Sequence, residues 1–196
     1  MHRNAIVIVD SDIDFDIKVA EILQPVSPEL KVEPYDAPCT CVGMGAFSEV
    51  VAKYKSVDPM PAPAVLMEEF DKHVERDKPI ANCPKCKGTG ITQTTYNPNS
   101  KFQGYSISGY WNGWFLTDSE GKMPPDYDDY IILKSDNIAP IKDLLEKNKI
   151  PGIVIEPDGT WNDFVAEGAD EPDTEKVKAI YNKYIDKYGV VIDCSL

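Results

Sequence analysis

Four of the five cysteines in this chain are spaced as metal ligands. Cys83-Pro84-Lys85-Cys86-Lys87-Gly88-Thr89-Gly90 is a cysteine knuckle. Two residues between thiols let both thiolates face one cation, and the glycines let the backbone turn beneath it. Tetrahedral zinc needs two more ligands, and Cys39-Thr40-Cys41 supplies them. The expectation is a structural Zn2+ site built from Cys39, Cys41, Cys83 and Cys86, with no position left for water. His73 is the substitute ligand to consider, although its neighbours Phe70 and Val74 suit a helix-side histidine better. Cys194 follows an apolar strand and reads as a core residue.

Other chemistry is less specific. Asp10, Asp12, Asp14 and Asp16 alternate and would share one face of a strand. Asp10 and Asp12 after Ile6–Val9 have the spacing of an aspartate-nucleophile phosphatase, without a clear lysine or second acidic pair to accompany them. The same stretch has the spacing of a calcium loop ending at Glu21, but Phe15 stands where the tight turn needs glycine. A solvated acidic strand edge accounts for all four. The two histidines, His2 and His73, stand without a nucleophile elbow, and neither a phosphate loop nor a dinucleotide fingerprint occurs. Tyr105 to Phe115 is dense in aromatics and glycines. Its Tyr110, Trp111, Asn112 and Trp114 are the candidate interaction residues, as a stacking platform or a protein contact; the alternative is that they pack in the core.

The elements that must position these groups read as α+β. The expected fold is a small mixed or antiparallel sheet with helices, plus a zinc-closed helical hairpin, in a single domain 1–196 with the cysteine module at about 37–92. Ala5–Val9 reads as a buried strand, followed by a short helix through Val19, Ile22 and Leu23 that Pro25 ends. Lys31 to Tyr35 reads as extended. Phe47, Val50, Val51 and Tyr54 place a helix at 46–55; Leu66, Phe70 and Val74 place another at 64–77. Three prolines between them and Lys78-Pro79 after them are breaks. An antiparallel pair of such helices would bring Cys39 and Cys41 to Cys83 and Cys86. Residues 91–115 read as strands and turns, 123–129 as a polar loop, Tyr130–Lys134 as a strand and Ile138 to Lys147 as a helix. Gly152–Glu156 is the next strand, ended by a Pro157-Asp158-Gly159 turn. The last helix carries Val177, Ile180, Tyr181, Tyr184, Ile185 and Tyr188 on one face, with Thr174 as N-cap and Gly189 as a left-handed terminator. Val190–Asp193 closes the chain as a strand. The acidic stretch 167–175 reads as a surface loop.

Charge narrows the partners. The 196 residues carry a net charge of -13. Residues 1–50 hold nine acids against three bases, 51–101 six against eight, and 102–196 eighteen against nine. A chain this acidic is repelled by phosphate backbones, so direct nucleic-acid binding by the whole protein is disfavoured. A local basic set, Lys72, Arg76, Lys78, Lys85, Lys87 and Lys101, is the exception. No apolar run approaches the ~20 residues of a membrane span, the opening apolar run is too short for a signal peptide, and the paired cysteines suit a reducing compartment. The expected location is the cytoplasm.

Several segments together resemble an uncharacterised family found in bacteriophages and their bacterial hosts. They are Pro38-Cys39-Thr40-Cys41-Val42-Gly43, Cys83 to Gly90, Thr95-Tyr96-Asn97-Pro98-Asn99-Ser100-Lys101 and Ile107-Ser108-Gly109-Tyr110-Trp111-Asn112-Gly113. Pro157-Asp158-Gly159-Thr160-Trp161 and Val191-Ile192-Asp193-Cys194 follow in matching order. The chain departs from the pattern in two places. The family motif is similar to I-G-G-R-W, where this chain has Ser108 and Tyr110. The family often ends D-C-H, where this chain has Ser195. The resemblance implies a retained zinc scaffold and lost ancestral chemistry, since an arginine and a histidine are the groups missing. With the charge, it implies a non-enzymatic binding protein whose partner is a host protein with a basic nucleic-acid channel, as in an anti-defence or anti-CRISPR-like inhibitor, acting in the host cytoplasm. The alternatives are a nucleic-acid-binding or -processing zinc protein using Lys85, Lys87 and Lys101, and a metal-dependent phosphatase using Asp10 and Asp12.

Overall fold

The computed structural model describes residues 2–57, 59–117, 132–166 and 171–196. The chain divides into two compact units, one of residues 32–95 and one of residues 1–31 with 96–196. The polar loop expected at 123–129, residues 130–131 of the expected strand and residues 167–170 of the acidic stretch lie outside the described residues.

The larger unit is built on a mixed, mostly antiparallel sheet of six strands. Its centre is β1 (His2–Val9), which pairs antiparallel with β8 (Tyr188–Ser195) over its whole length and parallel with β6 (Ile153–Ile155). β7 (Trp161–Asp163) extends the sheet beyond β6. The far edge of β8 is shared by β4 (Gly104–Ile107) and β5 (Ile138–Pro140). Ala5 to Val9 read as one unbroken apolar run because both faces of the sheet are covered. Odd-numbered residues Ala5, Val7 and Val9 pack with Val19 and Leu23 of α1 (Phe15–Leu23). Even-numbered Ile6 and Ile8 pack with Ile141 and Leu144 of α4 (Ile141–Glu146) and with Val177 and Tyr181 of α5 (Thr174–Lys183). Cys194 joins the first cluster, fully buried, and burial pushes its thiol up to about 12.

Several sequence expectations change here. The aspartate run is not a strand edge: β1 stops at Val9, and Asp14 takes a left-handed turn (φ 51) that swings Phe15 into the core. The helix expected from Ile138 starts only at Ile141, because Ile138, Ala139 and Pro140 pair along β8. Lys134–Asn137 is a short 3-10 helix rather than the end of a strand. α5 is capped by Asp173, whose carboxylate accepts the Lys176 N–H at 3.2 Å, and not by Thr174. Gly189 is not a helix terminator. It lies inside β8, where a Cβ would come within 2.7 Å of Leu144 and 2.9 Å of Ile6.

One buried acid ties the sheet to α5. Glu156 accepts from Lys183 Nζ at 2.6 Å, Tyr184 Oη at 2.8 Å and Asn162 Nδ2 at 3.1 Å. Burial alone would raise its carboxyl, but these three donors outweigh it and hold the group below the ordinary glutamate range. A depressed folded value stabilises the protein above the unfolded value of about 4.3 and loses that contribution as pH falls through the folded value. The urea midpoint of Glu156→Gln is therefore expected below that of the wild type at pH 7, with the gap closing as pH falls below about 4. A gap that stays constant down to pH 3 contradicts this role.

The smaller unit holds α2 (Met44–Lys53), α3 (Pro63–Asp71) and a two-stranded antiparallel ladder of β2 (Tyr35–Pro38) and β3 (Ile91–Thr94). The start of α2 packs against the end of α3, with Phe47 edge-on to Phe70 at 5.8 Å and the Gly43 N–H bonded to the Lys78 carbonyl at 3.0 Å. α3 is shorter than its apolar stripe suggested. After Asp71 the chain makes separate turns, and Arg76 Nη1 donates to the Asp71 carbonyl that the helix leaves free. Val74 is consequently 92% exposed. Among the described residues, the buried apolar side chains of this unit are Ala46, Val50 and Leu66, with the four cysteines.

Candidate metal centre

The ladder and the helix pair converge on the cysteines. Pairing of Pro38 with Ile91 places Cys39 beside Gly90, and the Cys39 N–H donates to the Gly90 carbonyl at 2.8 Å. Cys41 precedes α2 by one turn. Cys83 and Cys86 sit on the knuckle that runs from Ile80 into β3, closed by Cys83 N–H to Ile80 O and Lys87 N–H to Cys83 O. The knuckle requires glycine at 88: its φ is +87°, and a Cβ would lie 2.7 Å from the Ala81 carbonyl oxygen. Gly88→Ala is expected to lower metal affinity ~5- to 150-fold through a backbone penalty of about 1–3 kcal/mol. A competition titration with a chromophoric chelator measures it, and unchanged affinity would show that the turn adapts.

The four sulfurs lie within 4.8 Å of one another and all four residues are buried. Cys39 Sγ is 3.7 Å from Cys83 Sγ, and Cys41 Sγ is 3.5 Å from Cys86 Sγ. A disulfide would need about 2.05 Å. Four thiolates at about 2.3 Å around a tetrahedral ion stand about 3.8 Å apart, which these spacings match. The cluster can hold a metal ion.

The electrostatics also suit a cation. Backbone N–H groups of Cys86 and Lys85 pull the Cys83 thiol down to about 6. At Cys86 burial raises the thiol, but the N–H groups of Gly90 and Gly88 and the neighbouring thiols outweigh it, leaving it lowered. Burial pushes Cys41 up to about 12. Adjacent buried thiols are driven apart in this way because several anions cannot share a dry site without a positive partner.

His73 is outside the cluster. Its Nε2 faces Glu49 at 3.2 Å and its Nδ1 accepts the Glu75 N–H at 3.2 Å. Lys85 and Lys87 are exposed on the knuckle, whereas Lys101 belongs to the larger unit. Asp10 is paired with Lys187, and Asp12 is exposed in the turn after β1.

The aromatic segment divides. Trp111 and Trp114 pack against the core on the Ile6 and Ile8 face, with Lys149 Nζ 5.6 Å from the Trp114 ring. Tyr110 is 78% exposed. Asn112 is exposed and its Oδ1 accepts from Asn137 Nδ2 at 3.0 Å. Pairing of β4 with β8 brings the segment after Ile107 to Asp193, whose carboxylate accepts the Tyr110 N–H at 3.2 Å and faces His2. Sequence reasoning named His2 and Asp193 separately and did not connect them. A histidine at the start of a strand and an acid near the end of another carry no joint signal until β1 and β8 are paired.

Among the described residues no helix is long and apolar enough to cross a membrane. No protein-family model, curated protein or solved structure matches the chain.

Proposed function

We propose that the protein is a binding protein whose smaller unit is stapled by one structural Zn2+ on Cys39, Cys41, Cys83 and Cys86. The observation that carries the zinc reading is a buried set of four sulfurs within 4.8 Å of one another, two pairs of them at 3.7 and 3.5 Å; four thiolates complete a tetrahedral set and leave no position for water or substrate. Zinc rather than iron or copper is chosen for a redox-silent tetrahedral thiolate site that closes a helix pair. Elemental analysis of protein purified without added metal is expected to give one zinc per chain, lost in Cys39→Ser and in Cys83→Ser. Zinc retained in either variant would break the four-cysteine assignment.

The binding role rests on charge. The larger unit carries most of the acidic excess, which suits a partner with a basic nucleic-acid channel, of the kind a phage-encoded anti-defence protein would occupy. Such a partner should be captured from host lysate at low salt and released by salt or by competing DNA. Capture that yields no basic nucleic-acid enzyme would sink this part of the reading.

A second reading is supported by Lys85 and Lys87, which are exposed and form no ion pair among the described residues. The zinc knuckle would then contact phosphate directly. Affinity for DNA or RNA that falls steeply between 50 and 200 mM salt, by the ~10-fold or more that a few phosphate contacts produce, would favour it over the protein-binding role.

A further inference from the structure

Asp193 is a buried carboxylate, its side chain 8% exposed, that holds an imidazole at the surface. Both of its oxygens face His2 Nδ1, at 2.9 and 3.0 Å. His2 is 63% exposed, and its Nε2 has no partner among the described residues. The backbone around the carboxylate is strained to reach it. Ser108 has φ 68 and ψ -70, the uncommon and costly form of γ-turn, and Gly109 follows at φ 49 with no room for a Cβ beside Asp193. Strain of this kind persists where surrounding structure enforces it, and functional sites are where it collects. It places the Tyr110 N–H on Asp193 and lays the exposed Tyr110 ring beside the imidazole, 6.2 Å between centroids and 27° from parallel. Next to it the Trp111 Nε1 is buried with no hydrogen-bond partner among the described residues.

These groups have a definite chemical meaning. A carboxylate on Nδ1 keeps the proton there and leaves the lone pair on Nε2. A metal would need further ligands, and among the described residues the only metal-holding group is the cysteine cluster. What remains is a nucleophile or base. We propose that His2 and Asp193 form a reactive dyad that attacks ester-type carbonyl groups, with the Tyr110 ring receiving the apolar part of the ester. His2 Nε2 adds to the carbonyl carbon, and the bond to the leaving oxygen breaks as that oxygen departs with the electron pair. Water then cleaves the acyl–nitrogen bond, giving a carboxylate, releasing protons to solvent and restoring the neutral imidazole. His2 is the catalytic residue and Asp193 a positioning residue. The activity belongs to the larger unit, uses no metal and stands independently of the zinc reading.

The test uses the full zinc-loaded chain and p-nitrophenyl acetate. The wild type should release nitrophenolate at least ~100-fold faster than the same concentration of free imidazole, the low end of what a positioned base contributes. His2→Gln and Asp193→Asn should each remove most of that excess, and His73→Gln should leave it intact. The imidazole 15N resonances of His2 should show the proton on Nδ1 in the wild type and a shift of that tautomer in Asp193→Asn, read on variant protein whose amide spectrum shows that it is folded. His2→Gln changes an exposed side chain and keeps the fold, so wild-type hydrolysis in that variant overturns the proposal. A wild-type rate no higher than free imidazole, or a proton found on Nε2, overturns it as well.

Discussion

Removing the proposed zinc is expected to unfold residues 32–95 and to leave the six-stranded sheet intact. The reason is the distribution of buried surface. The larger unit has two apolar clusters, one on each face of its sheet, each drawing on several strands and on helices. In the smaller unit the buried apolar residues other than cysteine are Ala46, Val50 and Leu66, too few to offset the ordering of some sixty residues. The cysteine cluster is its centre. Structural zinc in small modules contributes about 10–16 kcal/mol at neutral pH, and that binding energy is the folding energy. Hydrogen exchange reads the outcome directly. With a strong chelator, the amides of Cys39, Val42, Gly43 and Phe47 should lose protection, since their acceptors lie around the cluster or in the turn after α3 and the first turn of α2. The amides of β1 and β8 should keep theirs. Protection retained in both units would mean the cysteines are a thiol core that needs no ion. Protection lost in both would mean the units fold only together.

Tyr181→Ala is expected to have the opposite signature, destabilising the larger unit and sparing the smaller. Tyr181 is fully buried among Ile6, Ile8, Leu144 and Val177, and its hydroxyl donates to the Lys149 carbonyl at 3.0 Å. Burial raises its phenol far above the ordinary value, so it remains a neutral donor at any working pH. Truncation leaves an aromatic-sized cavity and costs about 3–5 kcal/mol. Tyr181→Phe keeps the packing and leaves the Lys149 carbonyl without this donor, at about 1–3 kcal/mol. Chemical denaturation followed by near-ultraviolet signal, with zinc retention monitored in parallel, separates the two. A Phe variant as unstable as the Ala variant would assign the effect to the hydrogen bond rather than to packing.

The corrections share a cause. Helical periodicity in Leu66, Phe70 and Val74 continued past the true helix end, because nothing local to Asp71 signals that Arg76 will take its carbonyl. Ile138-Ala139-Pro140 has the composition of a helix start, and only the free edge of β8 makes it a strand. Gly189 has the composition of a terminator, and only the approach of Leu144 and Ile6 explains why no side chain fits there. Each of these depends on a partner distant in sequence, and local patterning cannot supply it.

What the sequence by itself determined is the chemistry that spacing encodes. The knuckle from Cys83 to Gly90, the second pair at Cys39 and Cys41, the central strand through Ala5–Val9, Val177 and Tyr181 on the apolar face of α5 and the core role of Cys194 are all legible in short stretches of chain, although α5 stops at Lys183 and Tyr188, assigned to that face, opens β8. Tertiary structure decided what brings them together. The pairing of β2 with β3, which no local pattern specified, sets Cys39 beside Gly90. The antiparallel register of β1 with β8 sets His2 against Asp193. The type of a residue fixes which bonds it can make, but a site needs several such residues within a few ångströms, and that proximity is a property of strand pairing across the whole chain.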